Sequence, residues 1–458
     1  MKIKWLAALA LGALAIGSLS ACGGDDAPEV PTDTPAASDE PTPAPEPTDE
    51  PPAPTDEPAV EIAGELTVLT HRTDLESDGT MQAYADAFKA KYPGITAVNF
   101  EAITAYDDDV SIRLSTGDYG DVLSIPNSVT NDQLSQFFAP IGSFADLAEY
   151  RYLSDKAIGD QVYGLAQGGI ATGVVYNKRI FEEAGVTEVP TTIDAFWAAL
   201  EAVKEKTNAI PLYTNAADGW PLGDLIRNMG VANGNANAKN DMTGNDAPWA
   251  EGGDAYELDS LIYDAVAKGL TEADPTTTNW EDSKTLIGTG EVACLVLQSW
   301  AISQMEAAAS DAGADPTDIG FMPVPSTGSG SYAAVLGDRY YAINANSGNK
   351  DAAWAWIEFM IKESGYDAAQ GFVSTLISAP LPNNLAALTA VGTQLFEPQA
   401  APAGAEGLFD SIDTAAEIGF GNGDYRQQLV ADARSGKDKA DAFGALNDKW
   451  AAARAEVG

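Results

Sequence analysis

From residue 62 onward the chain alternates between two rhythms of apolar and polar positions. Short apolar runs rich in Val, Ile and Leu read as buried strands. Between them, apolar residues recur at helical spacing. "GELTVLTHR" predicts a strand over Leu66–Thr70 that opens into a polar loop at His71–Asp74. Met81, Tyr84, Phe88 and Tyr92 predict a helix that Pro93-Gly94 stops. "ITAVNFEAI" predicts a second strand. Val110, Ile112 and Leu114 predict a helix before Gly117, with the Asp107-Asp108-Asp109 run at its N-terminus, where negative charge is favoured. "DVLSIPNS" predicts a third strand ending at Pro126. Strands and helices alternating at this spacing predict a parallel sheet covered by helices.

The rhythm resumes downstream. "TGVVYNKRIFEEAG" predicts a strand over Gly173–Tyr176 and a helix closed by Gly185. Thr191 with Asp194 fits a capping box for a helix running to about Lys206. "AIPLYTN" and "EVACLVL" predict strands, the second ending at Gln298, Ser299 and Trp300. "DIGFMPVP" predicts an extended crossing segment, "RYYAINANS" a strand, and "NKDAAWAWIEFMIKESG" an amphipathic helix. From Asp410 onward the pattern is mostly helical. No repeat of solenoid length is visible. The expected class is α/β in both halves, and a folded body of this length is too large for one ordinary core, so two domains are expected.

The chain before Ala63 follows another pattern. Lys2 and Lys4 precede a short apolar run, Trp5–Ile16, and small residues lead to Cys22. This is the pattern of a secretory signal, too short to span a bilayer comfortably. Leu19-Ser20-Ala21-Cys22 looks like a bacterial lipobox, which implies cleavage before Cys22, a lipid on its thiol and an extracytoplasmic protein anchored to the cell membrane. Residues 23–62 carry eleven prolines, twelve acids and no Lys or Arg. Such a segment cannot bury apolar surface, so a disordered, extended linker is expected.

Charge and cysteine content narrow the function. The net charge is −43, and most of it lies beyond the linker. That surface repels nucleic acid, which is excluded as a partner. With Cys22 lipidated, Cys294 is the one remaining cysteine; its apolar neighbours predict a buried, inert thiol. His71 is the only histidine, so a multi-histidine zinc site cannot be built, and no metal or cofactor is expected.

Several segments resemble, in order, the solute-binding proteins of carbohydrate ABC importers, the family to which maltose-binding protein belongs. "GGIATGVVYNKRIFEEAGVTEVPTTIDAFWAAL" carries Tyr176-Asn177-Lys178, Gly185-Val186, Pro190 and Phe196-Trp197 at the family's spacing. "AFKAKYPGI", "RLSTGDYGDVL", "QVYGLAQ", "GTGEVACLVLQSW" and "NSGNKDAAWAWIEFM" resemble further family segments. The resemblance implies two α/β lobes joined by a hinge with several chain crossings, the type II periplasmic-binding-protein-like fold. The lobes would comprise 63–168 with 322–373 and 169–321 with 374–458. It also implies a monomer that holds a sugar or oligosaccharide in the interlobe cleft and delivers it to permease subunits.

Open α/β sheets bind ligands at the carboxyl ends of their strands. His71, Arg72, Asp74, Asn127, Ser128, Asn215 and Trp220 follow such ends, and Trp300 sits where the resembled family often stacks a tryptophan on sugar. Asp338 and Tyr340 occupy a turn-to-strand setting and complete the candidate set. Trp280 reads as a helix cap or a further aromatic contact. Trp354 and Trp356 read as helix packing. A secreted glycosidase is the rival reading, but Glu281 and Asp282 are neighbours on a helix and do not face one side. No nucleophile elbow, phosphate loop or metal motif appears, so a binder rather than an enzyme is expected. A non-sugar solute on the same fold is the other alternative.

Overall fold

The computed structural model describes residues 62–458 apart from 329, 403 and 422. The signal sequence, Cys22 and the acidic linker lie outside the described residues. The strands are β1 (Ala63–Thr70), β2 (Gly94–Ala102), β3 (Val122–Ser124), β4 (Gly142–Ser143), β5 (Ala157–Ile158), β6 (Gln161–Val162), β7 (Leu165–Ala171), β8 (Val174–Asn177), β9 (Ile210–Leu212), β10 (Val292–Val296), β11 (Ile319–Met322), β12 (Tyr332–Ile343) and β13 (Gln394–Phe396).

One sheet runs β13-β12-β3-β1-β2, with β7 also paired to β12. The second runs β11-β8-β10-β9, and β4-β6-β5 form a small third sheet. β1 is parallel to β2 and β3, as the alternation of strand and helix predicts. The complete sheet is mixed, because β12 lies antiparallel to both β3 and β7. It enters from the second sheet's side of the molecule, so its direction is set by the crossing and not by a strand–helix–strand unit. The second sheet is mixed: β10 is parallel to β9, and β8 is antiparallel to both β10 and β11.

Strand membership traces the crossings. β7 belongs to the first sheet through Ala171 and leads over Thr172-Gly173 into β8 of the second. β11 ends at Met322 in the second sheet, and the chain returns in β12. The late strand β13 joins the first sheet. Thr172 and Ala334 exchange hydrogen bonds where two crossings run side by side: the Thr172 N–H donates to Ala334 O, and the Ala334 N–H to Thr172 Oγ1, both 2.9 Å.

Each lobe has its own core. Phe88, Trp356 and Phe359 pack together in the first, with the Phe88 and Trp356 rings edge to face and 5.1 Å apart. Trp249, Phe420 and Trp450 fill the second. Trp450, on the C-terminal helix Lys439–Val457, donates to Met242 O and Asn245 O at 3.2 and 3.1 Å. A third apolar cluster joins both sheets, bringing Leu69, Tyr106 and Ile125 together with Val175, Leu295 and Phe321.

Local signals in the sequence have identifiable roles. Asn177 is fully buried and caps the helix Lys178–Glu183; its Oδ1 accepts from the Ile180 N–H while its Nδ2 donates to Ile287 O at 2.8 Å. The cap of the helix Ile193–Lys206 is Thr192, which accepts from the Ala195 N–H, and not Thr191. Thr191 instead accepts from the Ser326 N–H through its carbonyl, which holds it in an extended segment. Cys294 is fully buried, and burial pushes its thiol well above the usual range.

Candidate functional site

The carboxyl ends of β1 and β3 and the middle of β12 converge on one charged cluster. Arg72 pairs with Asp74, its Nε and Nη2 donating to the two carboxylate oxygens at 2.9 and 2.6 Å. Its Nη1 donates to Gln370 Oε1 at 2.7 Å and to Tyr366 Oη at 3.2 Å. This anchoring presents a fixed guanidinium and holds the Asp74 carboxyl below its usual range. Arg339 grips Asp107 with Nη1 at 2.9 and 3.0 Å, and Asp107 Oδ1 also accepts the Asn127 N–H at 2.8 Å. Ser128, exposed beside Asn127, shares a hydrogen bond with Ser111 at 2.7 Å.

Arg339 has φ 46°, an uncommon conformation for a residue with a side chain. β12 pairs with β7 on either side of it, at Asp338↔Gly168 and Tyr340↔Ala166. The contacts of Nη1 with both Asp107 oxygens hold the side chain of this residue in place.

His71 lies edge-on to Tyr106 with ring centroids 5.9 Å apart, and its buried Nδ1 has no partner. Its pKa is lowered from 6.5 to about 4, first by burial and then by the nearby Arg339 and Arg72, against the smaller opposing effect of Asp107 and Asp74. The folded protein therefore favours the neutral ring. The stability this confers is complete above pH 6.5, falls as the pH drops from 6.5 towards 4, and is gone below that. Full loss corresponds to about 3 kcal/mol at most. Denaturation midpoints between pH 4 and 7.5 should fall less steeply with acidification in His71→Gln than in the wild type. Parallel curves would show that His71 does not titrate in this way.

The second sheet contributes aromatic groups. Trp300 follows β10, Trp220 follows β9, and Trp280 opens the helix Trp280–Thr289 behind its cap Asn279. The three indoles meet: Trp220–Trp280 centroids are 5.0 Å apart, Trp280–Trp300 5.6 Å and Trp220–Trp300 5.9 Å. Trp220 is 38% exposed, unusual for so large an apolar ring. Trp300 Nε1 donates to Gln298 Oε1 at 3.2 Å, and Gln298 Nε2 donates to Asp224 O at 3.3 Å. Arg227 pairs with the Asp224 carboxylate at 2.5 Å and lies near enough to Asp338 that each stabilises the other's charge. Burial nevertheless raises the Asp338 pKa. The polar chain thus continues from Trp300 to Asp338, next to Arg339.

Of the sequence-predicted residues, His71, Arg72, Asp74, Asn127, Ser128 and Asp338 fall in or beside the first cluster, and Trp220 and Trp300 in the aromatic one. Two are not brought to the open face. Asn215 is fully buried at φ 54°, its Nδ2 donating to Ser283 Oγ at 3.2 Å. Tyr340 is 7% exposed and its hydroxyl donates to Asp155; β12 carries it into the core shared by the two sheets. Sequence reading missed Asp107 as the partner of Arg339, named Gln298 only as a strand end, and missed Asp224 and Arg227 altogether. No local motif marks them.

A hollow of about 590 Å³ lies elsewhere, on the second lobe among Asp413, Gln428 and Lys449. It includes none of the strand-end residues and is not the basis of the assignment. Among the described residues, no group of three or more His, Cys, Asp or Glu side chains is arranged to hold a metal. No helix among them is long and apolar enough to cross a membrane.

Residues 72–367 match the family model of the bacterial extracellular solute-binding proteins. A manno-oligosaccharide specific solute-binding protein of Bifidobacterium animalis subsp. lactis, solved with mannotriose, superposes with a TM-score of 0.75 at 33% identity, covering 86% of this chain and 95% of that one. A second binding protein of an ABC transporter from the same organism, solved with mannobiose, gives 0.74 at 32% over the same shares of the two chains. The diacetylchitobiose binding protein of Streptomyces coelicolor is 23% identical over 392 residues, 81% of this chain and 82% of its own.

Proposed function

The chain belongs to the bacterial extracellular solute-binding protein family, and from that premise we propose that it captures an oligosaccharide between its lobes and delivers it to the permease of an ABC importer. A lipid on Cys22 tethers it to the membrane, and the proline-rich acidic linker gives the folded body its reach. The single observation that supports this reading is the contact of three indoles at the strand ends of the second sheet, linked through Gln298, Asp224 and Arg227 to the charged cluster at the strand ends of the first. Sugars present apolar ring faces and a rim of hydroxyls, so one wall of a sugar site must be aromatic and another rich in donors and acceptors. Trp220, Trp280 and Trp300 supply the first; Arg72, Asp74, Arg339 and Asp107 supply the second. Hinge closure over the crossings brings the walls together, and the closed form is the one that docks.

The relatives are binding proteins, and on that family membership we read the site as one that binds without turnover. Manno-oligosaccharides are the first ligands to try, because the two Bifidobacterium proteins, at 33% and 32% identity, were solved with them. Calorimetry on the chain from residue 23 onward, with mannobiose, mannotriose, raffinose and chito-oligosaccharides, tests the reading. Saturable binding of one of them, a raised melting temperature and unchanged sugar are expected. Binding of none of them, or release of shorter products, would overturn it.

A further inference from the structure

The segment that carries Trp220 is held from behind by a short stretch near the C-terminus, well beyond the 72–367 region that matches the family. Trp220–Asp224 is a five-residue helix, too short to be stable alone. Three contacts hold it and the turn before it. Arg426 Nη1 donates to Leu222 O at 2.8 Å and reaches Gly223 O at 3.5 Å, which also accepts the Leu225 N–H, and Phe420 O at 3.4 Å. Gln427 Nε2 donates to Ala216 O at 2.6 Å. Gly423, at φ +84°, lies so close to the segment that a Cβ there would come within 2.3 Å of Gly219 O.

Arg426 is 1% exposed. Its charge is met by Asp259, with Nε donating to Oδ1 at 2.7 Å. Asp259 is itself fixed by the Trp249 Nε1–H at 2.7 Å and the Tyr425 hydroxyl at 3.0 Å. A buried ion pair is a poor way to gain stability, since apolar residues of similar size often do as well. Arg426 Nη2 is moreover buried without a partner. What a buried arginine provides that an apolar residue cannot is a rigid set of directed donors, and here Nε is aimed at Asp259 and Nη1 at the backbone of the Trp220 segment. The segment then continues to Asp224, whose carbonyl takes Gln298, which in turn orients Trp300.

We propose that Arg426, neutralised by Asp259, is a positioning residue for ligand recognition, setting the arrangement of Trp220 against Trp280 and Trp300 without touching ligand. This rests on the oligosaccharide-binding reading for its consequence, but not for its geometry. Three indoles in mutual contact couple, so their near-ultraviolet circular dichroism reports their arrangement in the absence of any ligand. The test uses the chain from residue 23 onward with Arg426→Lys, which keeps a charge for Asp259 but loses the Nη1 contacts with Leu222 O and Gly223 O. Leu446→Ala serves as a control that loosens the same lobe's core. Arg426→Lys should change the tryptophan spectrum at room temperature and weaken mannotriose binding at least tenfold, while the control lowers the melting temperature and leaves both readouts in place. The spectral change should largely vanish in a Trp220→Phe background, which separates the indole cluster from Trp249, the tryptophan bonded to Asp259. An unchanged spectrum and affinity in Arg426→Lys, or equal changes in the control, would overturn the proposal. If the wild type binds another sugar of the panel, that sugar replaces mannotriose; if it binds none, the ligand reading fails and the spectrum alone decides the positioning. If Arg426→Lys does not fold, Gln427→Ala takes its place under the same criteria, with a smaller change expected.

Discussion

Trp300→Ala should weaken oligosaccharide binding by about thirtyfold or more, the scale of a binding hot spot of about 2 kcal/mol. The indole stands on a fully buried strand end and is oriented by Gln298, so little entropy is lost in presenting it. It also buttresses the exposed Trp220, 5.9 Å away. Removing it deletes one stacking face and frees another. Trp300→Phe keeps a ring but loses the Nε1–H bond to Gln298, and an intermediate loss is expected. Calorimetry with whichever sugar binds the wild type measures both. Wild-type affinity in Trp300→Ala would remove the aromatic wall from the site.

Asp259→Ala should cost about 3–5 kcal/mol of stability, because it leaves the Arg426 guanidinium buried without a counter-charge. Trp249 and Tyr425 would lose their acceptor as well. Denaturant unfolding monitored by tryptophan emission reads this as a lower midpoint. The double variant Asp259→Leu with Arg426→Met should recover much of the loss, since no charge is then buried. By contrast, Asp410→Ala breaks an exposed pair with Lys239 and should change stability by less than about 1 kcal/mol. A loss of that small size in Asp259→Ala would mean that water reaches Arg426.

The two predictions differ in how far they could be read from the chain. Trp300 was accessible, because an apolar run ending in a polar turn marks a strand end, and strand ends face ligands in α/β sheets. The Arg426–Asp259 pair was not. Its members lie 167 residues apart, each in a helix with no local sign of burial. Asp107 was half legible: its place in an acidic run marked a helix start, but Arg339, which it grips, is 232 residues away. Asn215 follows the same strand-end logic as Trp300, and Tyr340 was expected in a turn-to-strand setting, yet packing turns both inward.

The sequence alone determined the kind and order of many of the elements, the α/β class, and a set of strand ends from which a site could be built, while β7 and the helices Asp254–Ala267 and Ala301–Asp311 went unread. These depend on periodicity, turn residues and caps, which act within a few positions of one another. Only the tertiary structure decided which of those ends meet. The antiparallel entry of β12, the contact of Trp220 with Trp280 and Trp300, and the pairing of Arg339 with Asp107 join segments far apart in the chain. Such pairings are selected by the packing of the whole body, where burial leaves each charge and ring few places to go.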